Sequence, residues 1–287
     1  MRVMNRLAPF CLLALLACGK HDERKTLRVL TLNVQLDGRD QLDAIANVIR
    51  RSDADVVFLQ ECSADKCGAV LGRTLGRTHV QQGGDTATLS RWPLDATGHI
   101  TPPGGPRIRV LDLHLFHAPY QPYQLLKIPY GDAPFVATAQ EAIAAARAAR
   151  GGEADAAVAA LAGESFVITG GDFNEPSHQD WTAAVAAAGK QPLAVEWPST
   201  KTFTDAGFVD AYRAVYPDPL SRPGFTWTPT TRPDDPKDHH DRIDFLFARG
   251  LRPTSVQIVG ESAANADIVI APYPTDHRGL VATFALP

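Results

Sequence analysis

Residues Ser165-Phe166-Val167-Ile168-Thr169 form an apolar run that reads as a strand, and the run stops on Gly170-Gly171-Asp172-Phe173-Asn174. Glycine lets the backbone approach a ligand closely. A period of two puts Asp172 and Asn174 on one face. Asp and Asn are also ordinary turn formers, so the segment alone says little. It gains force from four other apolar runs that end the same way. They are Thr31-Leu32-Asn33-Val34, Leu59-Gln60-Glu61, Arg242-Ile243-Asp244-Phe245 and Thr275-Asp276-His277-Arg278. Each closes on an amide, a carboxylate or an imidazole.

Between these points the periodicity gives a coarse map. Leu27 to Val34 alternates as a strand, Asp40 to Arg51 carries a helical stripe at Leu42, Ile45, Ala46 and Ile49, and Asp55 to Gln60 is a buried strand. Ala69 to Leu75 fits a short helix. Arg107 to Phe116 is a strand with Leu111, Leu113 and Leu115 on one face and Asp112, His114 and Phe116 on the other. The next segment, Ala118 to Phe135, sets Pro119, Pro122, Pro129 and Pro134 among Tyr120, Tyr123 and Tyr130. Its prolines argue against any helix there. Thr138 to Ala162 is an alanine-rich helix with a break expected at Gly151-Gly152, and Asp180 to Ala188 is another helix. Strands resume near Ile243 to Ala248, Val256 to Val259 and Val281 to Leu286. Strands with helices between them suit an α/β sandwich. No Ser/Gly linker divides the 287 residues, and 45% hydrophobic content supplies one large core, so a single domain is expected.

The chain opens on a targeting segment. Arg2 and Arg6 precede an apolar stretch, Leu7 to Ala17, that is too short to span a bilayer. Leu15-Leu16-Ala17-Cys18 resembles a bacterial lipobox, in which cleavage leaves Cys18 as a lipidated N-terminus; an ordinary secretory signal is the alternative. This gives a leader over residues 1–17, a tether over 18–26 and the domain over 27–287. A lipid on Cys18 would hold the protein at the cell envelope, on the periplasmic or extracellular face, with its site near a membrane. Cys62 and Cys67 then remain as a pair in an oxidising compartment. A bridge between them needs an irregular turn over Ser63 to Lys66, and two buried thiols are the other reading. Net charge is −4 and there is no Lys/Arg run, so nothing marks a surface for nonspecific nucleic-acid binding.

The five strand-end clusters, with Leu89-Ser90-Arg91-Trp92-Pro93-Leu94 and Leu111-Asp112-Leu113-His114-Leu115, resemble the endonuclease/exonuclease/phosphatase superfamily from about Leu27 to Leu286. That resemblance implies a four-layer α/β sandwich, with two mixed β-sheets packed face to face, helices outside and the site at one edge. It also implies metal-assisted hydrolysis of a phosphate ester, and leaves the substrate open.

Phosphate diesters resist attack because their oxygens carry negative charge, which a hard divalent cation on oxygen ligands neutralises. Mg²⁺ or Mn²⁺ is therefore the expected cofactor, with Glu61, Asn33 and Asp276 as metal contacts, Asn33 acting through its amide oxygen on the metal or on Asp172. One branch of the family has an Asp two places beyond this Asn, where this chain has Gln35. By the same resemblance, Asp172 positions or deprotonates the attacking water and Asn174 donates to the phosphate. His277 is the general base, with Asp244 orienting its ring. His114 contacts a phosphate oxygen, with His117 as the rival for that place. Tyr120, Tyr123 and Lys127 of the proline-rich segment either bind substrate or clamp the fold. Arg91 reads as structural, and His239 and His240 as part of a solvated loop rather than a zinc site. The expected activity is that of a monomeric phosphodiesterase on a small or lipid-linked phosphodiester. Nuclease action on DNA or RNA ranks second and a binding lipoprotein without catalysis third.

Overall fold

The computed structural model describes residues 25–287, so Cys18 and the leader lie outside the described residues. Its strands are β1 (Thr26–Asn33), β2 (Val56–Gln60), β3 (Thr78–Gln81), β4 (Ala87–Ser90), β5 (His99–Ile100), β6 (Ile108–His114), β7 (Val167–Asp172), β8 (Val209–Asp210), β9 (Asp244–Arg249), β10 (Arg252–Gly260), β11 (Ile268–Val269) and β12 (Gly279–Ala285). The helices are α1 (Leu42–Ser52), α2 (Ala69–Leu75), α3 (Gln121–Leu126), α4 (Ala139–Ala146), α5 (Gly152–Ala160), α6 (Ala183–Ala187), α7 (Pro198–Asp205) and α8 (Ala211–Val215). One sheet has seven strands in the order β11-β10-β12-β1-β2-β4-β3, and the other has five in the order β5-β6-β7-β9-β8. Both are mixed: β1–β2 and β6–β7 are parallel, while β1–β12 and β7–β9 are antiparallel.

Side-chain parity builds the layers. Val29, Val56, Phe58, Val110, Ile168 and Leu246 meet between the sheets. Leu30, Val57 and Leu59 face the other way, onto Ile45, Val48 and Ile49 of α1. On the second sheet Phe245 and Phe247 face outward onto Ala154 and Ala157 of α5 and Phe203 of α7. The expected four-layer sandwich is the observed fold. The same parity carries Asn33, His114, Asp172 and Asp244 to the inner face at one end of the sheets. There His114 pairs in register with Asp172, and Asp172 with Asp244.

The glycines before Asp172 are required by this packing. A Cβ on Gly170 would lie 2.0 Å from the Phe245 carbonyl oxygen, and one on Gly171 would lie 1.8 Å from that of Leu113. Gly171 also has φ 138°, a region closed to other residues.

Three local expectations need correction. The segment from Ala118 to Phe135 does contain a helix, α3, because Pro122 sits in its first turn, where a missing N–H costs nothing. The long alanine-rich helix does not break at Gly151-Gly152. Both glycines have helical angles, and a wide five-residue turn, Arg147–Gly151, joins α4 to α5. That turn buries Arg150, which donates to the carbonyls of Phe116 and Pro119 and to Glu175. The helix expected from Asp180 is confined to α6, since Asp180 instead accepts from Arg213 and Arg242. Cys62 and Cys67 are joined as a disulfide across the wide turn Ala64–Gly68. Arg91 pairs with Asp53, a structural contact as expected.

Candidate active site

The inner-face strand ends open into a cleft of about 520 Å³. Its lining includes Asp37, Glu61, Asp85, Asp172 and Asp276, with His114, His117 and His277 among them, and no Lys or Arg.

Asn33 stands at the end of β1 and ties two carboxylates together. Its Nδ2 donates to Glu61 Oε1 at 3.1 Å and to Asp172 Oδ2 at 3.0 Å. Its oxygen accepts from the Gln35 N–H, so the nitrogen faces the site and the expected oxygen ligand is not presented. Glu61, in left-handed backbone just before the disulfide, accepts the Leu36 N–H on Oε2. Gln35, where an acid stands in part of the family, donates to Asp276 Oδ2 at 2.6 Å. Burial first, then the charge of Glu61, raises the pKa of Asp276.

Asp172 lies between two imidazoles. His277 Nε2 is 3.6 Å from Asp172 Oδ2, and its Nδ1 is 3.0 Å from Asp244 Oδ2. Thr226 Oγ1 accepts from the Ile243 and Asp244 N–H groups, fixing the start of β9. His114 Nε2 is 3.9 Å from the same Asp172 oxygen, and its Nδ1 is 2.6 Å from Asp85 Oδ2. Burial lowers the pKa of His277, but the charges of Asp244 and Asp172 outweigh it and hold the group at about 10. For His114, burial is overcome by the hydrogen bond with Asp85 and the charge of Asp172, which raise it to about 9. Asn174 Nδ2 donates to the Leu115 carbonyl, which leaves one amide hydrogen for a ligand. The Asn174 N–H donates to Asp172 Oδ1.

The oxygens of Glu61 and Asp276 suit a hard divalent cation, with the Asp172, Asp244 and His277 cluster beside them. Asp172, Asp244 and His277 offer atoms within 4.8 Å of one another, and Glu61 and Asp276 add oxygens from the cleft wall. Carboxylates concentrated in a wall that itself holds no Lys or Arg are a site that a cation would stabilise.

The Endonuclease/Exonuclease/phosphatase family profile matches residues 30–277. The chain belongs to that family. Its members are metal-dependent phosphoester hydrolases and nucleases. Across 296 residues it is 26% identical to the protein F14F9.5 of Caenorhabditis elegans, covering 90% of this chain and 91% of that one. Among solved structures, a family protein of Beutenbergia cavernae superposes with a TM-score of 0.58 at 18% identity, covering 92% of this chain and 72% of that one. An AP endonuclease of Archaeoglobus fulgidus gives 0.56 at 17% identity, with 91% and 100% covered. A humanized TDP2 of D. rerio gives 0.54 at 17% identity, with 91% and 99% covered. At these identities the superpositions speak for the fold.

The proline-rich segment sends different residues to the cleft than the sequence suggests. Tyr120 is buried and donates to Asp241 Oδ2 at 2.7 Å, and Tyr123 donates to Asp238. Neither lines the cleft, and Lys127, the exposed C-cap of α3, does not either. Tyr130 and His117 do. Five other cleft residues escaped the sequence reading: Leu36, Asp37, Ser63, Asp85 and Trp227. Asp85 ends a Gly83-Gly84 loop between β3 and β4, and that glycine pair was its only signal. Trp227 packs edge-on against His277, with centroids 4.9 Å apart, and its indole N–H reaches Tyr123 Oη. Tyr123 thus touches Trp227, which lines the cleft.

Proposed function

We propose that this protein is a Mg²⁺- or Mn²⁺-dependent phosphodiesterase of the bacterial cell envelope, anchored through Cys18 and acting on a small phosphodiester. One observation carries this reading: five carboxylates and three imidazoles line a cleft that holds no Lys or Arg. A phosphate anion can settle there only with a cation, and the imidazoles stand ready to move protons.

Glu61 and Asp276 would hold the cation, which supplies charge neutralisation at the phosphate oxygens and opposes the carboxylate field that keeps His277 protonated. The chain's own groups do the rest. Asp172, fixed by Asn33, orients the attacking water. His277 Nε2 takes the water's proton, and Asp244 fixes the ring so that Nε2 is the free nitrogen. As the new P–O bond forms and the ester P–O bond breaks, His114, held as imidazolium by Asp85, returns a proton to the leaving oxygen. Asn174 lies within the same lining to steady the phosphoryl group.

Nuclease action is the second reading. It is favoured by the aromatic faces of Trp227 and Tyr130 in the cleft, which suit base stacking, and by a structural neighbour, a D. rerio TDP2 complexed with single-strand DNA product. The test is hydrolysis by the purified protein, with Mg²⁺ or Mn²⁺, of bis(p-nitrophenyl) phosphate, small diesters, phospholipids and plasmid DNA. Turnover on a small diester that stops with EDTA is expected. Faster cleavage of DNA than of every small diester would favour the second reading. Hydrolysis untouched by EDTA, or none on any ester, would overturn both.

A further inference from the structure

A second concave site lies far from the cleft. Arg50, Thr74, Leu75, Gly76, Arg77 and Arg91 line a cavity of about 380 Å³ with no acidic side chain in its wall. Arg50 is exposed near the end of α1, and Thr74, Leu75 and Gly76 are the last residues and cap of α2. Arg77 is held by the carbonyls of Ala54 and Asp55, at 2.6 and 3.2 Å. Arg91 is held from outside the wall by Asp53 and, at 3.5 Å, by the buried Asp55. Burial, and then the like charge of Arg91, lower the Arg77 guanidinium to about 10, against the opposing charges of Asp55 and Asp53. Guanidinium groups converging with a hydroxyl are suited to a phosphate.

The topology fixes where this cavity sits. Asp55, whose carbonyl accepts from both Arg77 and the Arg91 N–H, also accepts the Arg28 N–H on its carboxylate. Arg28 is the third residue of β1, and β1 begins at Thr26, where the described chain enters the domain. The cavity is therefore at the pole where the tether joins. Asn33, at the other end of β1, belongs to the active site. Five residue steps from Arg28 to Asn33, at ~3.3 Å each, put the two ends ~17 Å apart along the strand. The segment leading to Cys18 thus enters the domain at the arginine pole rather than beside the cleft. This turns around the expectation that the anchor brings the site to a bilayer.

We propose that Arg50, Arg77 and Arg91 bind the phosphate of an anionic phospholipid headgroup, so that the anchored protein stands on its arginine pole and holds its catalytic cleft away from the membrane that carries it. Its substrate is then a phosphodiester dissolved in the compartment rather than a lipid of that membrane. The proposal rests on the anchoring at Cys18 proposed above.

The test is hydrogen exchange on the full lipidated chain in nanodiscs of phosphatidylcholine, with or without phosphatidylglycerol, and in phosphatidylcholine nanodiscs with free glycerol phosphate. Amides of residues 74–77 should exchange more slowly with phosphatidylglycerol, and those of the cleft, 35–37 and 84–86, should not change. The exposed change Arg50→Glu should weaken the protection by at least ~5-fold, the scale of one basic residue at an anionic surface. A melting curve shows that this variant is folded. Protection by free glycerol phosphate alone would assign the cavity to a soluble phosphate and overturn the membrane role. Protection at the cleft would overturn the orientation, and protection nowhere would overturn the site. Mass spectrometry of the same sample reports the acyl groups on Cys18, and their absence would overturn the anchor on which the proposal stands. None of these readouts uses hydrolysis, so a failure here is separate from a failure of the catalytic reading.

Discussion

His277 and His114 both aim Nε2 at Asp172 Oδ2, at 3.6 and 3.9 Å, and each has a carboxylate behind its Nδ1. The two pairs differ in setting. His277 and Asp244 side chains are 5% and 0% exposed, while His114 and Asp85 are 14% and 52% exposed. The first pair is built from sheet residues and the chain just before β12. In the second, a strand end meets a loop. A buried carboxylate fixes one tautomer rigidly. A half-exposed one competes with water and is screened. The buried pair is thus suited to abstracting a proton and the outer pair to contacting an oxygen that comes and goes.

Kinetics give the largest effects and the sharpest break. His277→Ala and Asp172→Asn should each lower kcat by ~10²–10⁴-fold, the usual share of a positioned proton-transfer group. Asp244→Asn should approach the same loss, because it leaves a buried imidazole without its orienting charge. Asp85→Asn should cost no more than ~5-fold, the worth of an ion pair with an exposed partner. The measurement is kcat on the same small diester, with folding checked by circular dichroism. Equal losses for Asp244→Asn and Asp85→Asn would erase the distinction between the pairs.

The contrast also explains what was legible in the sequence. Strand parity and the polar strand ends gave Asp172, Asp244 and His277, because buried strands alternate and a charged residue at their end stands out. The α/β class followed from the same runs, and the two face-to-face sheets from the family resemblance those runs carry. Asp85 was hidden because it lies on a short loop whose position depends on β3 and β4 folding back onto β2. Trp227 was hidden because its place depends on backbone pairing with Asp241 and His277, which are remote in sequence. The tyrosines misled for a related reason: composition cannot tell a ring that lines a cleft from one that holds it. Tyr120 and Tyr123 anchor the wall to Asp241 and Asp238, whereas Tyr130 lines the cleft.

Acid–base stability should separate the pairs more finely. An imidazole in the unfolded chain titrates near 6.5, while folded His114 stands at about 9 and folded His277 at about 10. The folded state holds these protons more tightly. Their stabilisation is therefore complete below pH 6.5 and is lost as pH rises through 9 and then 10. Urea melts of metal-free protein should show stability falling across that window. His114→Ala should remove the part lost first and keep the part lost near 10. A flat profile between pH 6.5 and 10 would mean that neither pair holds its proton as described. Adding Mg²⁺ at pH 8 should release protons, because a cation beside Glu61 opposes the field that retains them; calorimetry in buffers of different ionisation heat counts them.

The smallest effect concerns the wall rather than the chemistry. Tyr130 is 40% exposed, lines the cleft and meets Tyr123 edge-on with centroids 6.0 Å apart. Its ring is thus braced on one side and available on the other. A substrate larger than a bare activated diester would cover it. An aromatic contact of this kind is worth a factor of roughly 3–10 in binding. Tyr130→Ala should raise KM for the true substrate by about that factor, and leave kcat and the hydrolysis of bis(p-nitrophenyl) phosphate nearly unchanged. Tyr120→Phe is the control from the same segment. It removes only the hydroxyl that donates to buried Asp241, so it should lower the melting temperature and leave KM alone. Should Tyr130→Ala lower kcat on both substrates while the protein stays folded, the segment would belong with the two histidine pairs. The division between a chemical floor and a selective wall would then fail.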